Sequence, residues 1–314
     1  MGVFCTLLCV LGQCLDTPYK LTLYNHRNLE GTTNLNCLNA SLRTVFIIHG
    51  WLQSDQQPWI QQMKNAYLDH FLANVVVLDW SEDASSNTYY PSAYKVPEVG
   101  NFLGQALYIL HHKNLINIKS TQLVGFSLGA HVAGYAGQVF TAKSNGNKIK
   151  TIIGLDAASS LFEYTSNERR LDANDAEFVQ GFHTSDAGVK KPYATVDVYF
   201  NFKILQGCGT RQPSCPTYPG VDVPPNSLFP FLFCNHLRAV AYFIQTITSK
   251  TFLGVLCTCN NFHNKRCNAT NVTVIGEHMS LNSTPGEYFL STSCHIPFSL
   301  KYEGVIGGRS NYIC

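Results

Sequence analysis

Residues 121–137 read TQLVGFSLGAHVAGYAG, and the fold follows from their order. At the centre lies Gly125-Phe126-Ser127-Leu128-Gly129, a match to G-x-S-x-G. Apolar β-formers precede it and a run of small residues with helical character follows. That context predicts strand, sharp turn and helix, with Ser127 on the turn in a strained backbone conformation and its hydroxyl pushed out of the sheet. Side chains at positions 125 and 129 would collide with the neighbouring strand or helix. Ala130, Ala133, Gly134 and Gly137 let the helix lie close to the sheet. The helix N-terminus turns unpaired N–H groups toward the serine, an arrangement suited to a nucleophile and a developing negative charge.

The chain has 314 residues, and 45% of them are hydrophobic, enough for a sizeable core. Charged residues make up 13% and the formal net charge is +2. No basic excess or long charge run points to nucleic acid. No stretch approaches the ~20 apolar residues of a membrane span.

Twelve cysteines point to an oxidising compartment. Residues 1–13, MGVFCTLLCVLGQ, form an uncharged apolar run. It is expected to be a signal peptide, with an N-terminal strand as the alternative. Its removal would take Cys5 and Cys9 and leave ten cysteines, an even number that permits five disulfides. Cys257 and Cys259 have no matching Cys/His pair, so no metal site is expected. Sequons at Asn39, Asn268, Asn271 and Asn282 agree with secretion.

Residues 19–24 alternate and read as an edge strand, and residues 25–41 as a polar loop. Residues 44–48 (TVFII) form a buried strand that ends in His49-Gly50-Trp51. A turn there faces its N–H groups toward the sheet's carboxyl edge, where α/β folds bind ligands, so the Trp51 N–H is a candidate oxyanion donor. Residues 58–72 predict a helix with Pro58 in its first turn. Residues 75–78 predict a strand ending in Asp79, read as structural because it precedes the serine. Residues 81–96 read as a loop, and Val99, Phe102, Leu103, Ala106 and Leu110 mark a helix. This alternation predicts a mostly parallel sheet with helices on both faces.

The strand at 151–155 ends in Asp156, one α/β unit beyond Ser127 and on the same edge. Asp156 is therefore the expected acid; Asp172 and Asp175 sit in a charged stretch and read as solvated pairs. Among the later histidines, His236 follows Cys234 and opens a helix carrying Leu237, Val240, Ala241, Ile244 and Ile247 on one face. A loop pinned by a disulfide would hold it as a general base requires. His183, His263, His278 and His295 are the competitors. Residues 272–304 read as strands.

The segments VFIIHGW (45–51), LVGFSLGAH (123–131), IIGLDAA (152–158), QPSCP (212–216) and FCNHLRAVAYF (233–243) together resemble the secreted pancreatic-lipase family. The resemblance runs from about residue 19 to residue 298, with the phospholipase A1 subgroup the most similar. It implies an α/β-hydrolase with disulfide-stapled loops, a Ser127–Asp156–His236 triad, and oxyanion donors at the N–H groups of Trp51 and Leu128. Phe126 departs from the family's histidine before the nucleophile and Ala157 from its proline after the acid; neither removes a catalytic group.

The resemblance also implies a lid loop before the catalytic histidine, closed by Cys215–Cys234 or by Cys208–Cys234. Tyr218, Val221, Leu228, Phe229, Phe231 and Phe233 make it apolar, and Asp222 is the only charge between Cys215 and Cys234. A lipid-facing flap is expected, against the alternative of a stapled loop packed on the core. The loop after His183 is short, which the resemblance links to phospholipase A1. The expectation is thus a secreted, monomeric esterase acting on lipid at a membrane or micelle surface, without cofactor, metal or colipase. A signal segment would precede a single catalytic domain at 14–314, with no β-sandwich module. A triacylglycerol lipase or galactolipase and a non-catalytic lipid-binding relative are the alternatives.

Overall fold

The computed structural model describes residues 6–10, 13–203, 209–210, 212–215 and 228–306. Of the expected flap residues, Tyr218 and Val221 lie outside these, as do the side chains of Leu228, Phe229 and Phe231. The chain divides into two compact units, Met1–Ala157 with Tyr164–Val179, and Ala158–Glu163 with Gln180–Cys314.

The first unit opens with an antiparallel hairpin of β1 (Thr6–Val10) and β2 (Gln13–Thr17). Then come β3 (Lys20–Asn25), β4 (Asn28–Thr32), β5 (Arg43–Ile48), β6 (Ala73–Asp79), β7 (Thr121–Phe126) and β8 (Thr151–Leu155). They lie side by side as β4-β3-β6-β5-β7-β8. β6, β5, β7 and β8 run parallel, while β3 and β4 add antiparallel strands at one side. Ile48 is level with Leu78 and Gly125, and Gly125 with Gly154. Consequently the residues that follow these strands emerge along one carboxyl edge.

Valine and isoleucine runs suit parallel strands buried on both faces. Val45, Phe46, Ile47, Ile48, Val75 and Val76 are all fully buried. Two expectations fail here. Residues 19–24 are not an edge strand, because β4 covers β3 within the stretch read as a loop. The polar positions of β3 are instead buried: Asn25 binds Asn74 and the Cys37 carbonyl. Such internal pairing is invisible to a hydropathy pattern.

Helices α1 (Pro58–His70), α2 (Ser81–Ala84), α3 (Tyr89–His112) and α4 (Leu128–Lys143) complete this unit. α1 opens on Pro58 and buries Ile60, Met63 and Tyr67, as expected. α3 starts well before the expected helix, inside the stretch read as a loop. Buried Ser92, Ala93 and Val96 extend its apolar face by two turns, although Pro97 removes one backbone donor within it. Packing thus overrides the polar composition. α3 and α4 meet at Gly104, where a Cβ would stand 2.6 Å from the Val139 Cβ.

Asp172 and Asp175 are buried and not the solvated pairs expected from their charged neighbours. They form a capping box, in which the Asp172 N–H donates to Asp175 at 2.8 Å. Local hydrogen bonding turns Asp175 inward against Gly134 and Gly137 of α4.

The second unit holds β9 (Phe178–His183), β10 (Val196–Phe200), β11 (Phe202–Lys203), β12 (Gly209–Thr210), β13 (Leu253–Leu256), β14 (Val272–Val274) and β15 (Gly286–Leu290). The opening Phe178 and Val179 of β9 belong to the first unit. The order is β9-β10-β15-β13-β14, with β9, β10 and β15 parallel and the other two antiparallel. β11 and β12 pair separately. The last expected strand, over residues 298–304, is replaced by a single Thr292–Ser299 bridge and a 3-10 turn at Lys301–Gly304.

Helix α5 spans Leu228–Thr248, so His236 lies well inside it and does not open it. Pro230 does not prevent the earlier start, because a first-turn residue needs no intrahelical donor. α6 covers Cys259–His263. Cys215 pairs with Cys234 and Cys257 with Cys267; Cys259 and Cys294 are also disulfide-bonded. Cys37 is a free, exposed thiol, so the even count does not mean complete pairing.

Burial pushes the Asp175 carboxyl up to about 7, against the hydrogen bonds it accepts. A carboxylate with a raised folded pKa destabilises the fold as pH climbs from its unfolded value near 4 to about 7, with the full penalty above that. Asp175→Asn is therefore expected to gain on the wild type as pH rises. Urea unfolding at pH 4.5 and pH 8 should show the difference between the two proteins widening by on the order of 3 kcal/mol.

Candidate active site

β7 ends at Phe126 and the chain reverses on Ser127, which has φ 57° and ψ −120°. A non-glycine residue rarely takes this conformation, which holds on the order of 1–3 kcal/mol of strain. Two contacts show what maintains it. A Cβ on Gly125 would stand 2.2 Å from the Gly129 carbonyl oxygen, and one on Gly129 would stand 2.4 Å from the Ile48 carbonyl oxygen. The strand, turn and helix can approach this closely only without those side chains. The Ser127 N–H donates to the Leu155 carbonyl at 3.0 Å, so the β7–β8 ladder continues into the turn.

That bond sets Ser127 beside the end of β8. Asp156, the next residue there, is fully buried and also has a left-handed backbone, with φ 47°. Two strained positions at neighbouring strand ends are the strongest local sign of a site in this unit. The first unit therefore brings Ser127 and Asp156 to one edge.

The loop after β5 meets the same edge. A Cβ on Gly50 would lie 2.8 Å from the Ser127 Cβ and 3.4 Å from its Oγ. Trp51 follows directly, and its indole donates to the Ser86 carbonyl at 2.8 Å. Leu52 takes φ 55° and donates its N–H to Ala84. Leu128 is the first residue of α4, so its N–H has no acceptor within the helix. Both expected oxyanion donors thus belong to segments that flank Ser127.

Sequence reasoning missed the group that fixes this loop. His49 is fully buried and stacks on Trp80. Its Nδ1 lies 3.0 Å from the Gly50 carbonyl, its Nε2 lies 3.2 Å from Asp79, and the Trp80 indole donates to its carbonyl at 2.8 Å. Burial pushes the Asp79 carboxyl up, but hydrogen bonds and charge from His49 and hydrogen bonds from Ser81 outweigh it and hold the group below its ordinary value. Asp79, read as structural, anchors the loop through His49. The signal available was the histidine and aspartate closing adjacent parallel strands.

His236 belongs to the second unit and is 3% exposed. Its Nδ1 lies 3.5 Å from Ser185 Oγ, and its carbonyl accepts from the Thr184 hydroxyl at 3.5 Å. Phe233, a half-buried flap residue, packs edge-on to the imidazole. Gln212 ties this region together. Its N–H donates to Asn235, and its amide donates to the carbonyls of Thr184 and Phe200. Its Oε1 accepts from Asn201 at 2.7 Å and from Tyr242 at 2.9 Å. The nearby Cys215–Cys234 bond shows that Cys215, not Cys208, pairs with Cys234 across the loop expected to be a lid.

The competing histidine His183 is engaged on both sides. It contacts the Val189 carbonyl at 2.7 Å and Asp197 at 2.8 Å, and Asp197 also accepts from the N–H groups of Tyr193 and Ala194. Among the described residues no cluster of His, Cys, Asp and Glu is arranged to hold a metal.

The sequence profile of the lipase family matches residues 17–298. The chain belongs to the lipase family. It is 31% identical to Lipase member H of Xenopus tropicalis over 278 residues, covering 86% of this chain and 52% of that protein. It is 34% identical to Phospholipase A1 member A of Homo sapiens over 230 residues, covering 70% and 45%. Phospholipase A1 of Vespa crabro is 29% identical over 287 residues, covering 88% of each. The chain thus spans about half the length of the first two of these relatives. As a lipase-family member it has an α/β-hydrolase fold, and among the described residues no helix is long and apolar enough to cross a membrane.

Gly50→Ala tests the closeness of loop and serine. The added methyl has to push the loop away from Ser127. Labelling of Ser127 by a fluorophosphonate is expected to slow by about 100-fold, while thermal unfolding shows the protein still folded.

Proposed function

We propose that this lipase-family protein is a secreted phospholipase A1, releasing the sn-1 acyl chain of glycerophospholipids through Ser127, Asp156 and His236. The observation that carries the reading is Ser127 itself, held on a left-handed elbow with Gly50 against it and Asp156 at the next strand end. His236 supplies the base in the order Ser…Asp…His of this fold. Ser127 attacks the ester carbonyl as His236 takes its proton. Asp156 orients the imidazole and balances its charge. The N–H groups of Trp51 and Leu128 hold the oxyanion, each worth roughly 3 kcal/mol. His236 then protonates the departing lysophospholipid, and water releases the fatty acid from the acyl-enzyme.

Relatives named phospholipase A1 support the phospholipid choice, as does the short segment after His183. The apolar flap supports action at a lipid surface. Disulfides, sequons and the N-terminal apolar run support secretion, and the catalytic steps call on no cofactor, metal or colipase. The protein is taken to act as a monomer.

Phosphatidylcholine vesicles and triolein emulsion separate the readings. Release of fatty acid from phosphatidylcholine with 2-acyl lysophospholipid as co-product is expected, and Ser127→Ala should lower it by at least about 10,000-fold. Release confined to triolein would make the protein a neutral lipase. No Ser127-dependent release from either would overturn the lipid esterase reading.

Gln212 gives a finer test as a positioning residue for His236. Gln212→Ala leaves several buried groups unsatisfied and loosens Thr184, whose hydroxyl donates to the His236 carbonyl. A fall in kcat of about 100-fold with little change in KM is expected. A loss of kcat matched by a large fall in thermal unfolding temperature would point to general destabilisation.

A further inference from the structure

Catalysis leaves the sequons unexplained, and three of the four gather in one part of the second unit. Asn268, Asn271 and Asn282 are all exposed. Asn271 and Asn282 line the same open groove, about 340 Å³ in volume, together with their own sequon threonines Thr273 and Thr284. Asn271 immediately precedes β14. Its carbonyl accepts from Leu256 at 2.9 Å, extending the ladder on the inner side. Asn282 sits in a turn, with its N–H donated to the Ser280 hydroxyl and the Ser283 N–H donated to the Ser280 carbonyl. Among the described residues, neither Asn271 nor Asn282 has a protein acceptor for its Nδ2.

β14 is the outermost strand of its unit and pairs with β13 alone among the described residues. It reads Val-Thr-Val, and all three residues are only half-buried. A β-branched strand with one unpaired edge is a template for association with another chain. It carries no lysine, proline or bulge, the devices that usually blunt an edge.

We propose that Asn271 and Asn282 carry N-linked glycans, which fill the groove and cover the free edge of β14. In the transfer, each Nδ2 forms a bond to C1 of an oligosaccharide. The bond from C1 to the pyrophosphate of the lipid-linked donor breaks, and the lipid pyrophosphate leaves with the proton given up by Nδ2. Asn268 differs from the pair. It does not line the groove. The proposal rests on the secretory routing given above and is independent of which ester is cleaved.

The test uses the full chain expressed in cultured animal cells and purified from membranes and medium. Peptide N-glycosidase digestion in heavy-oxygen water converts each glycosylated asparagine to labelled aspartate. Labelled residues 271 and 282 in most molecules are the expected result. Protein in the medium with either position unlabelled overturns the glycan assignment and leaves secretion intact. Protein confined to the cytosol overturns both. Shielding is read on the folded glycoprotein, so the test does not depend on the folding of an Asn271→Gln/Asn282→Gln double variant. After its glycans are trimmed by an endoglycosidase, a several-fold rise in the multimer fraction on gel filtration is expected. An unchanged monomer overturns the shielding role.

Discussion

The register of four parallel strands is the constraint on which the rest of the first unit depends. Ile48, Leu78, Gly125 and Gly154 stand level across β5, β6, β7 and β8. Because they do, His49, Asp79, Ser127 and Asp156 leave the sheet along one edge. A slip of one residue in any pair would turn every following side chain to the opposite face. The buried valine and isoleucine runs resist that slip, since each alternate position would have to exchange a packed neighbour. The chemistry at the edge is therefore held in register by residues that take no part in it.

Strain is the second requirement. Ser127 and Asp156 both adopt left-handed backbone conformations, and Leu52 does so in the adjoining loop. Each is unfavourable alone and persists because its surroundings allow little else. At Ser127 the restraint comes from β8 through the Leu155 carbonyl and from the tight contacts at Gly125 and Gly129. At Leu52 it comes from Ala84, and His49, wedged between Asp79 and Trp80, fixes the start of the same loop. Such a loop presents its N–H groups without first having to order itself, which is what makes a preorganised donor effective.

Most of the fold was legible where one physical term dominates. Uninterrupted apolar β-branched runs gave β5, β6, β7 and β8 to within a residue or two, and G-x-S-x-G located the turn between β7 and α4. Reading failed where tertiary contacts oppose local composition. The start of α3 looks like a loop because its exposed Tyr90 and Tyr94 conceal a buried stripe of Ser92, Ala93 and Val96. β3 looks half-exposed because the partners of Asn25 lie twelve and more residues away. Asp172 and Asp175 look solvated because a capping box has no hydrophobic signature. Gln212 was visible only as one letter of a resembling motif. Its function as a hub depends on acceptors and donors from β9, β10 and α5, which no spacing rule connects.

The two units hold the proposed catalytic side chains by different means. In the first, backbone geometry sets Ser127 and Asp156, and glycine contacts leave almost no freedom. In the second, His236 sits in the regular interior of α5, where backbone strain is not needed. There the side-chain network through Gln212, Asn201, Tyr242 and Thr292 and the Cys215–Cys234 bond do the fixing. A fully satisfied buried network stays rigid only while every member is present, since each lost partner leaves a buried group unpaired. Backbone strain instead responds mainly to changes at the glycines that permit it. Ser127 should therefore keep its backbone when its neighbours are altered, as long as Gly50, Gly125 and Gly129 are kept. The placement of His236 within its own unit depends on polar residues remote from it.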